Sequence, residues 1–400
     1  MQHMNSFIRQ RHTAEAGRGM RRASIKRALR VAGLAAACML AACSSKDVRR
    51  EPTPLADFKP VLEVKQAWKA SVGKAGRYLF QPLVVGDAVY AAGANGSVAK
   101  FNAGTGQTVW RVKLHRDLSA GIGSDGERVA VGASDGNLVV LDNAGKELWH
   151  ADVSGDILSP PLVGQGMVIV RTVDGRITAF NAQTGEQAWQ FRNRNVPLNL
   201  RTTLGMTFAG DVAVLAGFPG GSLAAINRQT GDAYWQTPVS FPRGVTEVER
   251  INDVTGAPVL VGRLACAVTF QGKIGCFDVE SGRSVWEQPF SSYAGLAQDG
   301  QSVVAADDWS VVSAFDAVSG RRQWQNTQLK NRQLGTPAII GRAVAIGDYK
   351  GFVHFLSRDD GSLVARMKTD GSAISAPPVV AGQTLIVQTR DGDLYAFQPQ

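Results

Sequence analysis

One motif recurs along the chain at intervals near 40 residues, and this repetition restricts the fold more than any other feature. A copy reads as Gly, an alternating strand, Phe-Asp/Asn-Ala-x-Ser/Thr-Gly, and a Trp a few residues later. Residues 96–106 with Trp110, and 175–185 with Trp189, are full copies. Residues 136–142 with Trp149, 221–227 with Trp235, 272–278 with Trp286 and 310–316 with Trp324 are close variants. Residues 351–356 keep Gly361 but have Ala365 where Trp is expected, and the copy at 392–397 stops before any Trp. The tryptophans at 68, 110, 149, 189, 235, 286 and 324 lie 42, 39, 40, 46, 51 and 38 residues apart. A period of that size with several short strands per unit marks the blade of a β-propeller.

Each unit reads as four antiparallel strands, and counting closing strands gives eight units. Asn95-Gly96, Asp135-Gly136 and Asp174-Gly175 sit between alternating strands, which predicts type I′ hairpin turns. The Asx-Ala-x-Thr-Gly segment predicts a second turn, with the Asx side chain bonding local backbone and Gly at positive φ. Trp68 precedes any complete copy, whereas the last copy lacks its final strand. The segment around residues 64–70 is therefore expected to complete the blade begun near Thr384 and close the ring. Closure removes exposed sheet edges; an open solenoid, the competing architecture, leaves the Trp68 strand unpaired. The expected fold is all-β, an eight-bladed β-propeller with four antiparallel strands per blade, over residues 58–400.

The first 42 residues read differently. Arg21, Arg22, Lys26, Arg27 and Arg30 precede an uncharged, small-residue apolar run over 31–42. That is the pattern of a secretory signal, too short to span a bilayer. The run ends in Leu40-Ala41-Ala42-Cys43-Ser44, which resembles the lipobox of bacterial lipoproteins. The resemblance implies cleavage before a diacylated Cys43, and Ser44 in second place implies sorting to the outer membrane. An ordinary cleavage site with an incidental cysteine is the alternative. Residues 43–57 are then a lipidated linker, and the true start is either Met1 or Met20. Eight of the 43 Lys+Arg precede Cys43, against one of the 34 acidic residues, Glu15, so the rest of the chain carries +2 rather than +9. The basicity belongs to the signal, and a nucleic-acid partner drawn from it is excluded.

The repeat resembles the tryptophan-docking repeat of pyrroloquinoline-quinone (PQQ) dehydrogenases, which implies that each Trp packs between neighbouring blades. Dehydrogenases of that family use a carboxylate base, a calcium held by carboxylate and amide oxygens, and commonly a disulfide between adjacent cysteines. Beyond Cys43 this chain has only Cys266 and Cys276, which are not adjacent. Asp391-Gly392-Asp393 lacks the remaining ligands of a calcium loop and reads as a hairpin turn. His115, His150 and His354 fall in three different blades with no metal-ligand spacing. No catalytic, cofactor or metal residue is therefore assigned, and a PQQ-dependent dehydrogenase stands as the alternative function. A sugar-binding propeller would need more aromatics at one mouth than Trp309, Tyr293 and Tyr349. Cys266 and Cys276 flank the Gln271-Gly272 turn; an oxidising periplasm admits a disulfide there, and two packed thiols fit as well.

Function in propellers lies in the loops that depart from the repeat. One such loop holds Val196-Pro197-Leu198-Asn199-Leu200-Arg201; the next, in the longest gap, holds Glu247-Val248-Glu249-Arg250-Ile251-Asn252-Asp253-Val254-Thr255 and Pro258. Together with the lipobox and eight repeats, Leu198-x-Leu200-Arg201 and Glu247-x-Glu249-Arg250-x-x-Asp253-Val254 resemble the family of the outer-membrane protein assembly factor BamB. The resemblance implies a non-catalytic scaffold lipoprotein at the periplasmic face of the outer membrane. It further implies docking on the POTRA domains of BamA within the BAM complex, with nascent outer-membrane proteins as further candidate partners. The contact positions carried over are Leu198, Leu200, Arg201 and Asp253, with Glu249 and Arg250 as secondary candidates. The family often has a second Asp where this chain has Thr255. Without the resemblance, Leu198 and Leu200 read first as the inward face of one strand.

Overall fold

In each blade the second and third strands are short, β-branched and alanine-rich, and buried on both faces. Ala88–Ala92 and Ser97–Asn102 in the first blade, or Thr384–Gln388 and Asp393–Pro399 in the last, are examples. Such strands can only sit between two other layers. The fourth strand, as in Thr108–Lys113, alternates exposed and half-buried residues and so lies at the rim. The computed structural model describes residues 50–193, 198–201 and 205–400. Cys43 and the signal segment lie outside them, and residues 52–400 form a unit of their own.

These strands assemble into eight four-stranded antiparallel sheets, seven of them consecutive in sequence. They are numbered here as blades 1 to 8, beginning at Leu83. Blade 8 joins Val379–Ala381, Thr384–Gln388 and Asp393–Pro399 to Val64–Ser71 from the other end of the chain. Its pairing runs from Val64↔Pro399 to Ser71↔Asp393, with a bulge between Gln66 and Trp68. The ring closes as expected, one strand earlier than Thr384.

The tryptophans set the blade spacing. Each indole Nε1–H donates to a backbone carbonyl of the next blade: Trp68 to Ala103, Trp110 to Asn143, Trp149 to Ala182, Trp189 to Arg228, Trp235 to Val279, Trp286 to Ala317 and Trp324 to Arg358. The ring lies on the glycine that ends that blade's Asx turn. A Cβ on Gly106 would fall 2.6 Å from Trp68, and one on Gly361 2.4 Å from Trp324. The Trp and the Gly of one repeat thus serve different interfaces. The Asx turn itself forms as read: Asn102 Oδ1 accepts from the Gly104 and Thr105 amides, and Gly106 has φ +70°.

The other turn differs from expectation. Only the glycine takes positive φ at Asn95-Gly96, Asp135-Gly136 and Asp174-Gly175. The Gly96 amide donates to Gly93 and the Gly93 amide to Ser97. This is a type I turn followed by a left-handed glycine, one residue longer than the type I′ turn, which needs both central residues at positive φ. At Asp391-Gly392 the same hairpin appears, Gly392 donating to Thr389.

The interface between blades 7 and 8 has no Trp. The chain's own N-terminal segment is laid there instead. The Val61 and Leu62 amides donate to Val364, Leu62 and Val64 pack on the cluster around Phe355 and Phe397, and Thr53 donates to Lys330. Arg332 donates to the Thr53 carbonyl and Arg366 to that of Ala56, while Arg366 stacks on Phe58 at 5.0 Å. Behind them lies a buried ionic cluster: Asp348 accepts from Arg332 and from His354 Nε2, whose Nδ1 faces Arg366. Burial works to raise the Asp348 carboxyl, but His354 and Arg332 outweigh it and hold it low. Burial lowers His354, against the pull of Asp348. Part of the expected linker, residues 52–57, is therefore fixed to the propeller, and His354, on the strand Phe352–Ser357, is fully buried.

Candidate protein-binding site

The two irregular loops lie side by side because consecutive blades place their connections on the same face. The first links blades 3 and 4, and the second, ahead of Val254–Val261, links blades 4 and 5. Gly205 after the first loop donates to Gly256 after the second, and a Cβ on Gly205 would fall 2.5 Å from that of Ala257. The two segments are thus in direct backbone contact at Gly205 and Gly256.

Leu198 is 42% exposed. Leu200 is half-buried at the edge of a central cavity of about 990 Å³, which Arg201 also lines. Arg201 is exposed and pairs with Asp156 of the blade 2–3 connection, so its guanidinium is aimed before any partner arrives. Arginine is among the residues enriched at binding hot spots, and the two leucines beside it add apolar area that a partner could cover.

Asp253 is fully buried. Its Oδ2 accepts from the Leu200 amide at 2.6 Å and its Oδ1 from the Gly220 amide at 3.1 Å. The expectation of direct partner contact is corrected here: both carboxylate oxygens are taken by backbone donors, and the residue holds the first loop instead. Burial pushes its carboxyl up, while the two amides and Arg171 pull the other way. Arg171, at the end of the blade 3 strand Met167–Arg171, is buried as well. Its Nη1 donates to the Gly217 carbonyl, its guanidinium lies 4.6 Å from the centre of the Phe218 ring, and burial lowers its pKa to about 9. Thr255 is also buried, its hydroxyl donating to Ser292 at 2.8 Å.

Glu249 works within its own loop. Its carboxylate accepts from the Val245 and Thr246 amides at 2.9 and 3.0 Å, while Thr246 Oγ1 accepts from the Glu249 amide. This reciprocal pair is a capping box, and the two amides hold the Glu249 carboxyl below its ordinary value. It stiffens a single turn that displays Val245, 95% exposed, along with Val248 and Phe241. Arg250 is exposed on the same turn. Thr246-x-x-Glu249 was readable in the sequence as a capping signature. Arg171 had only a faint signal, a lone cation ending an apolar strand, and Asp156 had none.

Cys266 and Cys276 pair across adjacent strands of blade 5 as a disulfide, their Cα atoms 4.0 Å apart. The cavity is walled largely by apolar residues, prolines among them, and its one lining carboxylate among the described residues, Asp308, takes the Ser291 hydroxyl. Among the described residues no three His, Cys, Asp or Glu side chains converge as metal ligands. That donor set does not fit a quinone held with calcium.

Residues 94–326 and 308–400 match the family model described as outer membrane protein assembly factor BamB. The BamB of Burkholderia pseudomallei is 67% identical over 371 residues, 92% of this chain and 97% of that one. The chain belongs to the BamB family. The BamB of Bordetella pertussis is 44% identical, over 88% of this chain and 91% of its own. The crystal structure of BamB from Moraxella catarrhalis superposes with a TM-score of 0.78 at 26% identity, covering 84% of this chain and all of that one. A quinohemoprotein alcohol dehydrogenase from Comamonas testosteroni reaches a TM-score of 0.68 at 15% identity, which is a likeness of fold alone. Within the propeller of this BamB-family chain, the two loops are the departures from the blade repeat.

Proposed function

We propose that this chain is a non-catalytic scaffold of the β-barrel assembly machinery, anchored by lipid at Cys43 to the periplasmic face of the outer membrane. It supports assembly and insertion of outer-membrane β-barrel proteins by docking on the POTRA domains of BamA. Leu198, Leu200 and Arg201 make the contact; Asp253 holds them in place; Arg250 and the Glu249-capped turn flank it. The observation carrying this reading is the loop itself, with Leu198 exposed, Arg201 fixed by Asp156 and Leu200 bonded to buried Asp253. A loop pre-set in this way loses little conformational entropy on binding.

The deciding experiment replaces Leu198, Leu200 and Arg201 together by Ala and asks whether BamA still co-purifies. Loss of BamA with an unchanged thermal midpoint is expected, and undiminished capture overturns the interface. Replacing Cys43 by Ser tests the anchor, since the protein should leave the membrane fraction. The dehydrogenase reading is favoured only by the fold, and a thermal shift on adding PQQ with calcium would revive it.

A further inference from the structure

We infer that Trp309, Tyr349 and the lysines beside them form a patch that rests on the anionic headgroups of the bilayer holding the Cys43 lipid. The inference rests on the lipid anchor proposed above.

Seven of the eight tryptophans dock one blade on the next, and Trp309 is the eighth. At 44% exposed, it is the one tryptophan that stands in solvent. It lies on the turn between Ser302–Ala306 and Val312–Asp316 in blade 6. Tyr349 lies on the corresponding turn of blade 7, between Ala343–Gly347 and Phe352–Ser357. The blade 6–7 connection is held between these turns: the Asn331 amide donates to the Trp309 carbonyl at 2.8 Å, and the Tyr349 amide to the Arg332 carbonyl at 3.3 Å. Each aromatic has a lysine over its ring, with Lys330 Nζ 5.4 Å from the centre of Trp309 and Lys350 Nζ 5.3 Å from that of Tyr349. Of the charged side chains on the two turns and the connection, these two lysines are exposed; Asp307, Asp308, Arg332 and Asp348 are not. Asp307 accepts from the Trp309 and Val311 amides, Asp308 from the Ser291 hydroxyl, and Asp348 from Arg332. Ser310, Asn331 and Gln333 hold φ of +62°, +63° and +48°, half of the six non-glycine residues in the left-handed region among those described. Strain of this kind persists where the surrounding structure enforces it, and it gathers at binding sites.

The occupant follows from where the N-terminal strap ends. The Thr53 amide donates to the carbonyl of Lys330, the same residue whose ammonium covers Trp309. Residues 44–52 are all the sequence between that bond and Cys43, and they carry Lys46, Arg49 and Arg50 against Asp47 and Glu51. A tether this short, leaving the propeller at this point, brings the bilayer to the patch. Tryptophan and tyrosine are enriched at headgroup level, where the ring is sheltered and its N–H or O–H stays wet. Lysine reaches the lipid phosphates from an apolar stem.

The test places the full-length lipoprotein in phosphatidylglycerol vesicles whose acyl chains carry bromine, a contact quencher of tryptophan emission. Trp309→Phe gives the background of the seven sheltered indoles. Wild-type emission should be quenched above that background, and Trp309 should become closed to acrylamide added in the water. Phosphatidylcholine vesicles should give a smaller effect. The full chain with Cys43→Ser, titrated with phosphatidylglycerol vesicles, should show the same quenching at higher lipid. Adding Lys330→Gln and Lys350→Gln to it should demand about 25-fold more lipid, about fivefold for each charge, with an unchanged thermal midpoint. Should that variant not fold, the wild-type quenching decides alone. A lipoprotein that floats with the vesicles while Trp309 stays unquenched and open to acrylamide overturns the proposal. So does BamA closing Trp309 to acrylamide without lipid, since the surface would then belong to a protein. A wild type that does not float sinks the anchor instead; quenching in the Cys43→Ser titration would still uphold the patch, and none there would overturn it.

Discussion

The backbone amide of Leu200 donates to Oδ2 of Asp253 at 2.6 Å, across 53 positions of sequence. The bond fixes a main-chain atom rather than a side chain, so it acts on the course of the loop whatever residue occupies position 200. Asp253→Asn presents an N–H₂ group to one of the two donors at that site, and leaving a buried amide unsatisfied costs about 1–3 kcal/mol. The variant should stay folded while Leu200 and Gly220 lose exchange protection and BamA capture weakens. A variant that loses BamA with both amides still protected would return Asp253 to direct contact.

Glycine 361 should tolerate alanine far less well than Gly210. Both have positive φ, +74° and +60°, but a Cβ at 361 meets Trp324 at 2.4 Å whereas one at 210 meets nothing within 4 Å. Backbone strain alone costs about 1–2 kcal/mol, and overpacking adds about 1–3 kcal/mol. Urea unfolding should place Gly361→Ala below Gly210→Ala by the second amount. Equal losses would mean that the Trp docking carries no weight.

Arg332→Met is expected to be among the most damaging single changes. It leaves His354 as the remaining side-chain partner of the fully buried Asp348, beside the Lys350 and Phe352 amides, and frees the Thr53 carbonyl. Breaking a buried pair from one side costs about 3–5 kcal/mol. The unfolding midpoint should drop accordingly, and protease should find residues 52–62 first. Wild-type resistance of that segment would separate the ionic cluster from its hold on the N-terminal strap.

Acid should attack the blades unequally. The Asx turns of blades 5 and 6 use Asp278 and Asp316; those of blades 1, 3 and 4 use Asn102, Asn181 and Asn227. Bonds from Ser281, then Arg263, hold Asp278 at about 2 against an ordinary 3.8, and bonds from Ser319 lower Asp316 likewise. A depressed carboxyl contributes stability above its unfolded value and loses it as pH falls through its folded one. The Ser281 amide should therefore lose protection as pH drops from about 4 towards 2, and the Ser319 amide below the ordinary carboxylate range, while Thr105, Thr184 and Thr230 do not. A uniform loss would point to global unfolding.

The propeller was legible because its determinants are local and repeated. Even the defective copy was informative: it keeps Gly361, which receives Trp324 from the blade before, and lacks a Trp at 365 because blade 8 has no Asx turn to receive one. Its outer strand comes from residues 64–71 instead. The surroundings of Asp253 and Arg171 were not legible, because they depend on which atoms of blades 3, 4 and 5 converge, and a periodic pattern says nothing about neighbours across blades. The type I′ expectation failed for a smaller reason, since an Asx-Gly pair fits a turn one residue longer just as well.

The N-terminal strap has a mechanical consequence. Thr53 is bonded to Lys330, and Leu55 is packed between blades 6 and 7. With the lipid on Cys43 as proposed, nine residues of sequence, 44–52, separate the anchor from the first bonded position of the strap. Fully extended, they reach about 35 Å, no more than the width of a small domain. A scaffold so anchored would be moored rather than leashed, held within a thin shell beneath the membrane, where confinement would raise its effective concentration towards a membrane-bound partner to the order of millimolar.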